Sequence, residues 1–164
     1  MQDKTEAKIL CEVFEDVRGL TKFYLSLAKD IDPKRECQVE GKTLNSLYWI
    51  MGHLVWAEHY LLIEAMTGEK LDIPWHDQFD SQPVPDASLP EFDEILSTLD
   101  TVHARAMAIV AGMSDDDLGA PNHADITFRA GNAKRIIIRH AIRHEPCHTG
   151  QVAWILKIHG VKTV

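Results

Sequence analysis

Four long segments of the chain repeat apolar residues at the spacing of an α-helix, and this periodicity constrains the fold more than any other feature. In the first segment, at about residues 3–29, apolar residues recur at positions i, i+3, i+4 and i+7, the pattern of an amphipathic helix. The same reasoning predicts three further helices, at about residues 44–67, 89–111 and 132–159. The sequence shows neither a convincing strand pattern nor an internal repeat. It therefore predicts an all-α protein with the architecture of a four-helix bundle.

Residues that favour helix ends mark the limits of these segments. Thr43 is suited to be the N-cap of the second helix, and Ser88 followed by Glu91 has the pattern of a capping box for the third. Gly68 and Gly160 follow the second and fourth helices. Glycine adopts the left-handed conformation that commonly ends a helix, so both residues are predicted helix ends.

The second and third helices are joined by a long connection. Residues 69–87 have no periodicity and contain Pro74, Pro83 and Pro85. This connection is longer than the roughly two to eight residues usual between adjacent antiparallel helices. A long crossover allows the two helices it joins to run parallel. At 164 residues in total, we expect residues 1–164 to form one domain.

The distribution of charge argues against nucleic acid as a partner. The chain has 25 Asp and Glu against 17 Lys and Arg, which gives a formal net charge of −8. Nucleic-acid binding normally requires a contiguous basic face, which an acidic surface does not offer. Arg135, Arg139 and Arg143 do form a stripe at four-residue spacing, which we expect to be a helix face exposed to water.

Neither a membrane span nor a targeting segment is indicated. No run approaches the roughly 18 apolar residues that a membrane helix needs, so no membrane partner is expected. The first six residues are polar and mixed in charge, unlike a signal peptide. The three cysteines, Cys11, Cys37 and Cys147, are an odd number without the spacing of a disulfide framework. A cytoplasmic protein is therefore expected.

Two histidines on the fourth predicted helix form a candidate metal-binding pair. His144 and His148 are four residues apart, so steps of about 100° bring them onto one helix face. Imidazole nitrogens bind zinc and nickel, among other metals. His53 also lies on an inward face of the second helix. Three imidazoles would leave coordination positions open, as in catalytic metal sites, although each of these histidines could instead be an ordinary core residue.

His53 lies in the middle of an aromatic stripe. Trp49, Trp56 and Tyr60 fall within about 60° of its direction around the helix, whereas Glu58 points well away. These aromatic residues are candidates to line a substrate pocket. Simple core packing is the alternative for all three.

Residues next to the histidine pair have candidate supporting roles. His140, one turn before His144, could bind the metal with His144 in place of His148, or it could hydrogen-bond one of the metal-binding histidines. Gln151 could hydrogen-bond a ligand, although polar packing is the alternative. Pro146 has no N–H and is expected to kink the helix between the two histidines.

Two other side chains of the helices are expected to be buried without a role in metal binding. Cys147 is expected to be a small buried apolar residue, with a thiolate ligand as the alternative. His103 lies on the apolar stripe of the third helix and is expected to be a core residue.

Two segments, Leu47-Tyr48-Trp49-Ile50-Met51-Gly52-His53-Leu54-Val55-Trp56-Ala57-Glu58 and His144-Glu145-Pro146-Cys147-His148-Thr149-Gly150-Gln151, resemble the two motif regions of the DinB/YfiT-like family. The family pattern is one histidine on the second helix and His-x-x-x-His-x-Gly-Gln on the fourth. The resemblance implies a four-helix bundle of up-down-down-up topology, a divalent metal ion, most often zinc or nickel, and a homodimer. Its ligands would be His53, His144 and His148.

The resemblance also implies a class of reaction. Several members transfer low-molecular-weight thiols to electrophiles, so a metal-dependent thiol S-transferase acting on a small-molecule substrate is the leading expectation. A metal-dependent hydrolase and a non-catalytic dimeric bundle that acts as an interaction module are the alternatives.

Overall fold

Most of the chain is helical. The computed structural model describes residues 4–80 and 89–163. Its helices are α1 Glu6–Ser26, α2 Leu47–Glu58, a π-helical segment His59–Glu64, α3 Ala65–Thr67, a 3₁₀ helix His76–Phe79, α4 Phe92–Ala111, α5 Asp115–Gly119 and α6 Lys134–Ile158. None of these helices is long and apolar enough to cross a membrane.

The long helices bury a shared apolar core. α1 packs against α4 and α6, and α2 packs against the same two helices. The four therefore surround one core, in agreement with the mostly helical fold that the periodicity predicts. The predicted up-down-down-up order of helix directions stays a prediction, as does the single domain over residues 1–164. Fully buried core side chains include Phe14, Met51, Leu62, Ile63, Ile95 and Leu118.

A short β-hairpin precedes α2, in a part of the chain where the sequence shows no convincing strand pattern. β1 (Cys37–Val39) pairs antiparallel with β2 (Lys42–Leu44) across a two-residue turn. Both turn residues, Glu40 and Gly41, have positive φ, as the tight turns of hairpins require. Strands of three residues are too short to show an alternating pattern, which explains why the sequence did not reveal them.

The hairpin also moves the start of the second helix. Thr43 lies in β2 and is not the N-cap that it was predicted to be. Ser46 is the N-cap, because its side-chain oxygen accepts a hydrogen bond from the backbone N–H of Trp49. The helical run then continues from α2 through the π-helical segment and α3 to Gly68, whose φ of 77° ends it as predicted.

The third long helix begins later than predicted. α4 starts at Phe92, and its N-cap residue Glu91 makes no side-chain capping bond. The predicted partner of Glu91 in a capping box, Ser88, lies outside the described residues. A capping box does occur further along, where Ser114 and Asp117 cap each other at the start of α5.

The fourth long helix, α6, carries the motif with the two histidines. It spans 25 residues and contains Pro146 in its interior without ending there. Gly160 has a φ of 77°, consistent with the predicted helix end. Because α6 packs against both α1 and α2, its inner face can meet His53 of α2.

Candidate metal centre

The three predicted histidines come together between α2 and α6. One ring nitrogen from each of His53, His144 and His148 lies within 4.8 Å of the other two. The ring centroids are 4.5 Å apart for His144 and His148, and 4.8 and 5.3 Å from His53 to His148 and His144. His53 is buried and the other two are half-buried. The cluster is thus shielded on the core side and reachable from the other.

Hydrogen bonds to the far ring nitrogens fix two of these rings. His53 Nδ1 donates to the backbone carbonyl of Phe79 at 2.8 Å. His148 Nδ1 donates to Oε1 of Gln151 at 2.9 Å. In a neutral imidazole only one nitrogen carries a proton, so the Nε2 atoms of both rings keep a free lone pair. Metal-binding histidines are commonly oriented by bonds of this kind.

The spacing of the nitrogens fits a divalent metal ion. The Nε2 atoms of His144 and His148 are 3.2 Å apart. Two nitrogens bound at about 2.0–2.1 Å with tetrahedral or octahedral angles lie about 2.9–3.4 Å from each other. Three imidazoles are also a donor set that suits zinc or nickel. The residues present therefore fit the ion that their pattern suggests.

The environment keeps the three rings uncharged. Burial, followed by the neighbouring His148, His53 and His140, lowers the pKa of His144 to about 3. Burial also lowers the pKa values of His53 and His148, and it outweighs the opposing effect of the hydrogen bonds that these rings donate to Phe79 and Gln151. At neutral pH the rings are therefore in the deprotonated form that binds metals.

The predicted aromatic stripe forms a continuous stack against His53. The rings of Trp49 and His53 are nearly parallel, with centroids 4.8 Å apart. Trp56 stacks on the same imidazole at 5.5 Å, and Tyr60 stacks on Trp56 at 5.4 Å. The indoles therefore hold the His53 ring in place and keep water from its faces.

A cavity of about 370 Å³ opens beside His144. Trp56 and Tyr60 form part of its wall, together with Phe128 and His140. His140 stacks on Phe128 with centroids 4.1 Å apart, and its Nδ1 accepts a hydrogen bond from Arg143. His140 is thus a wall residue of this cavity and lies outside the three-histidine cluster.

Cys147 is exposed, so the expectation that it is a small buried apolar residue was wrong. Its thiol donates to the carbonyl of Arg143 one turn earlier and is not part of the three-histidine cluster. Pro146 precedes it inside the helix, and the buried face of α6 passes instead through Glu145 and Thr149. His103 is buried in α4, as expected.

A buried ionic network, which the sequence analysis missed, lies behind the cluster. The Arg18 guanidinium, only 1% exposed, binds both carboxylate oxygens of Glu145 at 2.8 Å. It also donates to Glu58 at 2.6 Å. Burial opposes the charge of Arg18, but the two carboxylates outweigh it and raise its pKa. Glu145 directly follows His144, so the network anchors the turn of α6 that carries the histidines.

Further buried groups extend the network to all four long helices. Thr21 of α1 donates to Glu145 at 2.7 Å and contacts the hydroxyl of Thr149 at 2.8 Å. His103 of α4 is 2.7 Å from Glu58. Burial lowers the pKa of His103, but the hydrogen bond and the charge of Glu58 raise it more. In the sequence, Arg18 and Glu58 are charged residues among the apolar residues of a helix. This pattern was the clue from which the buried network could have been predicted.

Comparison with known proteins identifies the family of the chain. No curated protein gives a significant match to the chain. The family model described as the DinB superfamily matches residues 21–152. This range includes all three histidines of the cluster and both carboxylates of the buried network, Glu58 and Glu145, but not Arg18. The match covers most of the chain, and therefore the protein belongs to the DinB superfamily.

Proposed function

We propose that His53, His144 and His148 hold one divalent metal ion, zinc or nickel, and that the protein is a metal-dependent enzyme. The observation that carries the proposal is the convergence of three imidazole nitrogens within 4.8 Å. Structural zinc sites are usually closed by four protein ligands, whereas three ligands leave room for a substrate. Membership of the DinB superfamily supports the same proposal.

The chain prepares this site before any substrate arrives. Gln151 and the carbonyl of Phe79 orient two of the rings, so little reorganisation is needed on binding. The stacked indoles of Trp49 and Trp56 shield the faces of the His53 ring from water. A divalent ion bound there supplies Lewis acidity, which favours the deprotonated form of a thiol or of water.

The reaction we propose is transfer of a low-molecular-weight thiol to an electrophilic small molecule. The thiol loses its proton to solvent, its sulfur forms a bond to the electrophilic carbon, and the bond from that carbon to the leaving group breaks, so that the leaving group departs with the electron pair. The cavity beside His144, with Trp56, Tyr60 and Phe128 in its wall, offers an apolar place for the electrophile. Aromatic walls of this kind hold planar or apolar groups by stacking and burial.

The assembly that we propose for this enzyme is a homodimer of bundles with up-down-down-up topology. The packing of both α1 and α2 against α4 and α6 supports the topology, and so does the long connection before α4. Gel filtration of the purified protein tests the dimer.

Metal analysis of the purified protein tests the ligand set. We expect about one divalent ion per chain in the unmodified protein, and a strong loss of bound metal when His53, His144 or His148 is changed to Ala. His140→Ala is the matched control, because His140 lies one turn from His144 but outside the cluster. Absence of a stoichiometric ion from the unmodified protein, or equal loss in His140→Ala, would contradict the proposed site.

A substrate panel tests the reaction separately. Several low-molecular-weight thiols are mixed with a reactive fluorescent electrophile, and an activated ester is tested beside them. Metal-dependent conjugation supports the transferase. Ester cleavage without conjugation supports a hydrolase, and a metal-loaded dimer that turns over none of these compounds favours a non-catalytic interaction module.

A further inference from the structure

A sizeable cavity lies outside the histidine cluster. It has a volume of about 710 Å³ and lies between α1, α6 and the segment of residues 128–130. Its apolar lining includes Leu10 and Val13 of α1 and Ile136 and Ile142 of α6. A volume of this size is in the range of small-molecule pockets, about 300–1,000 Å³.

Three arginines stand around this apolar lining. Arg129, Arg139 and Arg143 all contact the cavity and are exposed. Within residues 4–80 and 89–163, neither Arg129 nor Arg139 has an ion pair or a side-chain hydrogen bond. Arg143 donates to the ring of His140, which supplies no negative charge at that nitrogen. Three guanidinium groups therefore share one cavity without a carboxylate partner.

Arg135, which lies in the same stripe as Arg139 and Arg143, shows that an arginine on this face of α6 can form an ion pair within the chain. Arg135 binds Glu6 at 3.1 Å and donates to the carbonyl of Asp115 at 3.1 Å. The chain as a whole has an excess of acids, 25 against 17 bases, so unpaired arginines are not a consequence of scarce carboxylates. Guanidinium groups form strong, geometrically matched pairs with carboxylates and other oxyanions. The arrangement of Arg129, Arg139 and Arg143 leaves such an oxyanion to be supplied by a ligand.

We propose that this cavity binds a small amphipathic organic anion. The anionic group, a carboxylate or sulfonate, pairs with Arg139 and Arg143, and Arg129 adds positive charge. The apolar body lies against Val13 and Ile142. The site is separate from the three histidines, so it does not depend on a bound metal.

Displacement of a fluorescent probe tests the proposal. 8-Anilinonaphthalene-1-sulfonate is bound to the purified full-length protein and displaced by decanoate, 1-decanol or decyltrimethylammonium, each below its micelle-forming concentration. These compounds share one chain and differ in charge. We expect decanoate to displace the probe at least about tenfold more strongly than decanol, because hydrogen bonds to a charged group add to the apolar contacts. The cationic compound should be the weakest.

Substitutions in the cavity lining test whether decanoate binds in this cavity. Arg139→Gln with Arg143→Gln should weaken decanoate about tenfold or more and leave decanol unchanged. Arg105→Gln is the matched control, because Arg105 is exposed on α4, pairs with Glu69 and is not part of the cavity lining. Val13→Gln should weaken decanoate and decanol alike. All four positions are exposed, and circular dichroism confirms that each variant is folded.

Several results would overturn the proposal. They are a lack of probe binding to the unmodified protein, equal affinity for decanoate and decanol, and an equal effect of the double variant and Arg105→Gln. Loss of decanoate binding after metal removal would mean that the anion binds at the histidines. Binding that weakens as protein concentration rises would mean that a second copy of the chain fills the cavity. Failure of the metal site itself leaves this test unaffected.

Discussion

Replacing Arg18 with Met should destabilise the fold more than any other single loss of charge in the described structure. Arg18 is 1% exposed, and its side chain makes three short hydrogen bonds to Glu58 and Glu145, both of which are also buried. Met preserves the apolar stem but leaves two carboxylates without their cation. Breaking a buried ion pair in this way costs about 3–5 kcal/mol. For a chain of this size, the melting temperature should fall by about 6–20 °C.

Urea unfolding followed by circular dichroism measures this loss. Lys22→Met is the control, because Lys22 forms an ion pair with Asp100 in which both side chains are more than half exposed. Exposed pairs contribute at most about 1 kcal/mol, so this variant should unfold almost as the unmodified protein does. Adding Glu58→Gln and Glu145→Gln to Arg18→Met should recover part of the loss by removing the buried negative charges. A cost for Arg18→Met no larger than that of Lys22→Met would refute the reasoning.

Two further substitutions and a change of pH should alter metal affinity or stability in ways that follow from the contacts of the residues involved. Gln151→Leu should weaken metal binding about 10–100-fold in a chelator titration without unfolding the protein, because the residue orients a ligand ring from an exposed position. Gly52→Ala should destabilise the protein by about 1–3 kcal/mol in urea unfolding, because the added methyl group would overlap the ring of Phe79. The free energy of unfolding should fall as pH rises through the raised pKa of His103. Below the ordinary pKa of histidine the protonated ring stabilises the fold through its interaction with Glu58, and above the raised pKa the ring is neutral and this stabilisation is lost. His103→Gln should flatten this decline, and an unchanged pH profile would contradict the role given to the ring.

The sequence revealed the residues that recur at helical spacing. His144 and His148 share a face because they are four residues apart, and the stack of Trp49, His53 and Trp56 follows from the same rule. Periodicity alone did not bring His53 to the other two. That step came from the resemblance to a family and from the packing of two helices, which is a property of the whole fold.

Other features depend on contacts between distant residues and could not be predicted. Arg18 is separated from Glu145 by 127 positions, so nothing local connects them. Cys147 is exposed because Glu145 occupies the buried side of that helix turn. Burial preferences alone would predict the reverse, since charged residues are usually exposed. The hairpin at Cys37–Leu44 is too short to show a period and was recognisable only by its turn at Gly41.

The π-helical segment His59–Glu64 gives the chain a place where its length can change. A π turn holds one residue more than an α turn, so the segment amounts to a single insertion carried inside an otherwise regular helix. Removing one residue there would restore α-helical register and rotate everything up to Gly68 by about 100° relative to His53. His53 precedes the segment and would keep its place on α2, whereas His144 and His148 lie on α6. Loss of one residue from His59–Glu64 would therefore redirect the long connection after Gly68, and it would also move Tyr60 in the wall of the cavity beside His144.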